Sequence, residues 1–139
     1  MKCYAVIDTN VLVSALLSKN EEAATVQILE RVLAGEIIPV YSIEIMKEYR
    51  EVLNRKKFKF TKELINYLLS SIEHYGVNVY PAPTEEKLPD MKDIPFYEVV
   101  MEKRVDNTYL VTGNIKHFPK HTFIVTARQM LDILETQKI

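Results

Sequence analysis

Short apolar runs alternate along the chain with stretches of helical periodicity. The first run, Cys3-Tyr4-Ala5-Val6-Ile7, has no polar interruption, which is typical of a strand that is buried on both faces of a sheet. Four more runs of strand length follow, at 37–41, 77–80, 109–112 and 122–125. Strands that alternate with helices predict an α/β fold, in which a mainly parallel central sheet is flanked by helices on both faces.

Polar caps and glycines mark the ends of the predicted helices. Ser42 and Thr61 precede residues at helical spacing, and their side chains can accept hydrogen bonds from free amides of a first turn. Gly35 and Gly76 fit helix ends. Helices are predicted over 11–17, 21–34, 43–55, 62–75, 94–103 and 127–135. Pro39 lacks an N–H group, so it predicts that strand 37–41 lies at a sheet edge or ends there.

The size and charge of the chain narrow the classes of function. Its 139 residues fit one domain, 1–139, with a single core. The net charge of -1 means that a polyanion must be held by a local patch or by bound metal. Cys3 is the one cysteine, so an internal disulfide is excluded, and no apolar stretch reaches the roughly 18 residues of a membrane span. We expect a cytoplasmic protein that does not enter a membrane.

Oxygen-bearing side chains follow the predicted strands and precede the predicted helices. Ligand chemistry in parallel sheets lies beyond the carboxyl ends of the strands. Asp8 follows the first strand, Asn114 follows strand 109–112, and Asp93 opens the helix from 94. Each also has a simpler interpretation, because aspartate caps helices and asparagine suits turns. For Asp8, capping alone would leave a charge uncompensated near a buried strand end, which favours a metal.

The helix after Ser42 carries three glutamates, and helical geometry distinguishes among them. Glu48 borders the apolar arc, whereas Glu44 and Glu51 lie further onto the polar face. A glutamate on the border can reach over the sheet edge towards a strand end. Surface ion pairs of Glu48 with Arg55 or Lys47 are the simpler interpretation.

These side chains together predict a metal site. The candidate ligands are Asp8, Glu48, Asp93 and Asn114. Carboxylates that converge without a cation repel one another, and ligands that are all oxygen suit Mg²⁺ or Mn²⁺. Residues expected to orient the carboxylates or to contact substrate are Thr9, Asn10, Asp90, Thr112 and Lys116.

Two basic segments are candidates for binding the phosphates of a nucleic acid. The segment 55–62 is the only clearly basic run, and its Phe58 and Phe60 could stack on unpaired bases. The simpler interpretation is a solvated helix end with both rings in the core. A second, weaker basic patch consists of Lys116, His117, Lys120 and His121.

Four segments, 6–11, 45–53, 89–96 and 110–118, resemble PIN-domain nucleases, in particular the VapC-like toxins of toxin–antitoxin systems. The resemblance implies a PIN fold and a divalent-metal-dependent endoribonuclease that acts on RNA. It implies that Asp8, Glu48 and Asp93 bind the metal, and that partners include an antitoxin protein and further copies of the chain in a homodimer or higher homo-oligomer. Asn114 departs from the pattern, because many PIN domains carry an acid there.

Two other classes of function share part of this pattern. Phosphatases of the haloacid-dehalogenase type need a second aspartate two residues after the first, where this chain has Asn10. The stronger alternative is a PIN-fold RNA-binding or interaction protein with a weakened or vestigial metal site. Asn114 favours that alternative, whereas the three retained acids favour the nuclease.

Overall fold

The protein is described by a computed structural model over residues 3–137. Its centre is a sheet of five strands: β1 Cys3–Ile7, β2 Ile37–Tyr41, β3 Val77–Asn78, β4 Tyr109–Val111 and β5 Ile124–Val125. The strands lie in the order β3-β2-β1-β4-β5, and every pairing is parallel. The predicted α/β fold with a parallel sheet is confirmed, and the fully apolar β1 is the middle strand.

Six α-helices flank the sheet within the described residues. They are α1 Thr9–Leu17, α2 Ala24–Leu33, α3 Ile43–Leu53, α4 Lys62–Tyr75, α5 Ile94–Glu102 and α6 Ala127–Gln137. Helix α5 packs against β1, β2 and β4, across the middle of the sheet. No helix of residues 3–137 is long and apolar enough to cross a membrane.

The largest error in the predicted helix bounds is at α2, which begins at Ala24 and not at 21. The Asn20 side chain accepts a hydrogen bond from the amide of Glu22 at 2.9 Å and stabilises a turn before the helix. Both predicted serine and threonine caps are confirmed. Ser42 accepts from the amide of Ile45, and Thr61 accepts from the amide of residue 64.

The two glycines that end helices serve different purposes. Gly35 has a φ of 80°, the left-handed conformation that favours glycine after a helix. Gly76 has a φ of -97°, which other residues also adopt. A Cβ atom at Gly76 would collide with the carbonyl oxygens of Ile72 and Pro39. Glycine at 76 therefore allows the end of α4 to approach the backbone of β2.

The prediction that Pro39 places its strand at a sheet edge or end was wrong, because β2 lies between β1 and β3. The pairing with β3 begins only at Val40. The carbonyl of Pro39 lies near Gly76, on the β3 side, and the N–H of a strand residue points to the same side as its carbonyl. The missing donor of Pro39 therefore falls where β3 has not yet begun.

Candidate active site

Asp8 and Thr112 leave neighbouring strands side by side. Ile7 of β1 is paired with Val111 of β4, and each of the two polar residues follows directly. The hydroxyl of Thr112 donates to Oδ2 of Asp8 at 2.7 Å, and the Asn10 amide donates to the same oxygen at 3.4 Å. The Asp8 side chain makes no capping hydrogen bond to α1. Pure helix capping therefore does not explain this carboxylate.

Asp8 is a buried residue, only 5% exposed. Burial is the main cause that raises its pKa to about 6, and the charges of Asp93 and Glu48 raise it further. The hydrogen bond from Thr112 acts in the opposite direction but does not cancel the effect of burial. Ionised Asp8 is thus an unfavourable group in the metal-free protein, and a cation beside it would remove that cost.

Glu48 is half-buried and faces the same cleft as Asp8. The other two glutamates of α3 are exposed and paired, Glu44 with Lys47 at 3.8 Å and Glu51 with Arg55 at 3.0 Å. Within residues 3–137, Glu48 has no ion pair, so its interpretation as a surface ion-pair residue was wrong. Of the three glutamates of α3, Glu48 is the one that lines the cleft with Asp8, and its role there stays a prediction.

Tyr49 fixes the helix that carries Glu48. Its hydroxyl donates to the carbonyl of Ile7, the last residue of β1, at 2.5 Å. Its ring packs against Phe96 of α5, with a centroid distance of 6.2 Å. Burial raises the pKa of Tyr49, so the phenol stays protonated and remains a donor. This contact ties α3 to the strand end from which Asp8 emerges.

Asp93 closes a short 3-10 turn, Met91–Asp93, just before α5. Its side chain makes no capping hydrogen bond, so the prediction of a simple N-cap was wrong. Asp90 caps the turn instead, accepting from the Lys92 amide at 2.9 Å. Nδ1 of His117 lies 3.2 Å from Oδ2 of Asp93. Burial and the charge of Asp90 raise the pKa of Asp93, and His117 opposes that shift.

The remaining predicted site residues are arranged around the Asp8 carboxylate or outside the cleft. Asn10 accepts a hydrogen bond from the amide of Gly113 at 3.3 Å and so links the ends of β1 and β4. The backbone amide of Asn114 donates to the Thr112 hydroxyl at 3.0 Å. The side chains of Asn114 and Lys116 are exposed, and the structure does not bring them into the cleft with the three acids.

Asp8, Glu48, Asp90 and Asp93 line one open cleft of about 660 Å³. Arg55, Phe58 and Lys92 also line it. Thr9 borders the cleft too, and its buried hydroxyl is the one buried side-chain polar atom in residues 3–137 without a hydrogen-bond partner.

This set of oxygen donors has the chemistry that Mg²⁺ and Mn²⁺ prefer. Within the described chain, however, no three Asp, Glu, His or Cys side chains converge closely enough to bind an ion directly. Mg²⁺ usually keeps several of its waters in proteins. The residues therefore fit a hydrated divalent ion better than one that is enclosed by protein ligands.

The family is established by comparison with known proteins. A family model for the PIN domain matches residues 4–116. The chain belongs to the PIN-domain family. PIN domains are generally nucleases that use divalent metals and act on nucleic acids. The matched range includes all four predicted metal ligands. Comparison with curated proteins gave no match.

Two residues that shape the site of this PIN domain were not predicted from the sequence. His117 was assigned to a weak basic patch, whereas its imidazole contacts Asp93. The only signal was its place in the short segment after β4, where Phe118 is buried and anchors the turn. Tyr49 belongs to the apolar arc of α3 that Glu48 borders, and its place in that arc predicts only burial. Nothing local in the sequence indicates that its hydroxyl bonds to Ile7.

Proposed function

We propose that this PIN domain is an endoribonuclease that hydrolyses RNA phosphodiesters with Mg²⁺ or Mn²⁺ held by Asp8, Glu48 and Asp93. One observation carries the proposal: the buried carboxylate of Asp8, at the end of the middle strand, shares a cleft with Glu48 and Asp93. The charges of both neighbours disfavour its ionised form. A divalent cation stabilises such a group of acids, and substrate phosphate can complete its coordination.

Each neighbouring side chain has a distinct part in this proposal. Thr112 and Asn10 fix one oxygen of Asp8, and His117 orients Asp93. Asp8, Glu48 and Asp93 would hold the hydrated Mg²⁺ or Mn²⁺, which would supply Lewis acidity and lower the pKa of a bound water. One of the carboxylates accepts the proton of the attacking water. The unpartnered hydroxyl of Thr9 donates to that water or to a phosphate oxygen.

Three exposed residues near the site are assigned to the substrate or to the hydrated cation. Asn114 and Lys116 belong to the segment that follows β4, and Asp90 lines the cleft with Asp93. We propose that Lys116 contacts a phosphate of the RNA, and that Asn114 and Asp90 hold waters of the hydrated cation. The amide of Asn114 brings no charge, so the site favours one tightly held metal over two.

Metal binding is the most direct test. Isothermal titration calorimetry with Mn²⁺ should show a site in the wild type, and about tenfold or greater weakening in Asp8→Asn. Glu44→Gln is the matched control, because Glu44 lies on α3 but outside the cleft, and it should leave affinity unchanged. Cleavage of RNA should need Mg²⁺ or Mn²⁺ and should be lost in Asp8→Asn. No Mn²⁺ binding and no cleavage by the wild type would refute the proposal.

We propose further that the protein is the toxin of a toxin–antitoxin pair. The support is the resemblance to VapC-like toxins together with the acidic cleft. A partner protein that inserts an arginine or lysine between Asp8 and Asp93 would neutralise the acids and block the cleft. Homodimers or higher homo-oligomers belong to the same proposal.

One observation favours a second candidate function, a PIN-fold RNA-binding or interaction protein with a weakened metal site. Among residues 3–137 no three potential ligands are close enough to bind an ion directly, and Asn114 stands where many PIN domains carry an acid. Assays of RNA cleavage and of Mn²⁺ binding distinguish the two candidate functions. The binding protein would retain RNA or a partner without cleavage, and Mn²⁺ would not change its thermal unfolding.

A further inference from the structure

The chain that follows α3 brings two phenylalanines face to face beside the cleft. A short 3-10 turn, Lys56–Phe58, is followed by Lys59 with a φ of 59°. This left-handed residue reverses the chain, so that the rings of Phe58 and Phe60 stack. Their centroids are 5.5 Å apart and their planes differ by 13°. We refer to Phe58 and Phe60 as the aromatic pair.

The two rings of the aromatic pair have different surroundings. Phe60 packs against the hydrophobic core. Phe58 rests on Phe60 and lines the cleft that also contains Asp8, Glu48 and Asp93. The interpretation that both rings serve the core therefore accounts for Phe60 but leaves Phe58 unexplained. Phe58 is a flat aromatic surface, supported from behind by Phe60, in a cleft that contains the three acids and also the apolar side chains of Val13, Leu17 and Val52.

Positive charges surround Phe58. Nζ of Lys57 lies 5.1 Å from the centre of its ring. Arg55 lines the cleft beside it and is held there by Glu51 at 3.0 Å. Lys92 lines the cleft on the side of Asp93. The acids and the aromatic ring thus share one cleft with two cations, Arg55 and Lys92, and Lys57 lies against the same ring, in a chain whose net charge is only -1.

We propose that Phe58 is a stacking platform for an unpaired base of the RNA strand, with Lys57, Arg55 and Lys92 contacting the adjoining phosphates. A base can stack on an aromatic side chain only when it is not paired in a duplex, so this subsite selects single-stranded RNA. The inference rests on the proposed nuclease function, because it places the stacked nucleotide in the cleft of the three acids. It goes further in naming the residue that contacts a base of the substrate and the cations that contact the adjoining phosphates.

Phe58→Trp provides a direct probe, because the chain contains no tryptophan. The variant is titrated with a single-stranded RNA octamer in EDTA, where metal-dependent cleavage does not occur. Stacking of a base on the new indole should quench its fluorescence. An octamer of the same charge that lacks all its bases should bind without quenching. Quenching of equal size by both octamers would overturn the proposal.

Phe58→Leu measures how much the stacking platform contributes to the affinity for RNA. Its affinity for the single-stranded octamer should be about tenfold weaker than that of the wild type, as expected for one stacked base. Its affinity for the abasic octamer should not change. Tyr67→Leu is the matched control, since Tyr67 is an aromatic residue of α4 that is 63% exposed and lies outside the cleft. Equal losses for both octamers, or no loss, would overturn the proposal.

The same titrations distinguish this inference from the nuclease proposal. Quenching in Phe58→Trp without Mn²⁺ binding by the wild type supports the stacking platform and refutes the proposed metal site. Mn²⁺ binding and RNA cleavage that persist unchanged in Phe58→Leu, with unchanged octamer affinity, refute the platform alone. Failure of the wild type to bind the single-stranded octamer refutes the platform, whereas Mn²⁺ binding and RNA cleavage by the same protein would still support the nuclease. Thermal unfolding of each variant checks that the fold is retained.

Discussion

At the scale of single residues, Asp8 shows the strongest conflict between burial and charge. The unfolded chain releases the Asp8 proton near a pKa of about 3.9. In the folded protein, burial raises that pKa to about 6. Between these values the native state binds more protons than the unfolded state, so the free energy of unfolding falls as the pH rises. Above about pH 6, ionised Asp8 thus lowers the free energy of unfolding of the metal-free protein by about 3 kcal/mol.

Asp8→Asn should therefore stabilise the metal-free protein near pH 7 by about 1 to 3 kcal/mol. The amide oxygen can still accept the hydrogen bond from Thr112. Near pH 4, where Asp8 is protonated in the wild type, the difference should vanish. Urea unfolding in EDTA at both pH values measures this. Asp132→Asn, an exposed aspartate of α6, should show neither effect.

The opposite result for Asp8→Asn would contradict the site assignment. A clear loss of stability near pH 7 would mean that the ionised carboxylate supports the fold, for example by capping α1. The same variant would then be expected to bind Mn²⁺ as the wild type does.

The sequence predicted single residues of the site where their position follows from a repeating pattern. Asp8 ends an uninterrupted strand, and Glu48 borders a helical arc, so each could be placed from periodicity alone. The contact between Asp93 and His117 spans 24 residues and depends on the turns at 91–93 and 115–117. No periodic signal describes such turns, which is why His117 was missed.

At the scale of elements, α3 connects the core with the cleft through two consecutive residues. Successive helical side chains point about 100° apart, so Tyr49 reaches inward to β1 while Glu48 faces the cleft. The caps of α3 and α4 could be predicted, because Ser42 and Thr61 act on amides three residues away. The place of β2 inside the sheet could not be predicted. It depends on the pairing of β2 with β3, which begins only after Pro39, and such pairing is a long-range feature.

Tyr49→Phe should lower the free energy of unfolding by about 1 to 3 kcal/mol. The substitution keeps the ring against Phe96 but removes the donor to the buried carbonyl of Ile7. Urea unfolding near pH 7 provides the measurement. Tyr67→Phe, at an exposed position of α4, should change stability by less than about 0.5 kcal/mol. Equal effects of the two substitutions would show that the hydrogen bond from the Tyr49 hydroxyl to Ile7 does not stabilise the fold.

At the scale of the whole molecule, a net charge of -1 provides no general attraction for RNA. Binding must depend on the few cations at the cleft, and each phosphate contact to a single strand contributes about -0.7 to the slope of log K against log salt. With Lys57, Arg55, Lys92 and Lys116 as the proposed contacts, the slope should be about -3. Fluorescence anisotropy of a labelled octamer in EDTA, between low and physiological salt, measures it.

Lys92→Ala should make this slope less negative by about 0.7. Lys47→Ala is the control, because Lys47 pairs with Glu44 outside the cleft. A wild-type slope steeper than about -4 would require more phosphate contacts than the cleft offers and would place the RNA on another surface.

The proposed toxin role predicts a phenotype for the whole protein. A nuclease turns over, so a small number of copies can deplete an RNA that the cell needs. Expression of the wild type alone in a bacterial host should therefore arrest growth, and Asp8→Asn, produced at the same level, should not. Glu44→Gln should arrest growth as the wild type does, because that residue lies outside the cleft. Absence of arrest with ribonuclease activity in vitro would assign the protein to RNA processing and not to a toxin–antitoxin pair. Arrest by Asp8→Asn as well would mean that the growth defect does not come from the proposed metal site.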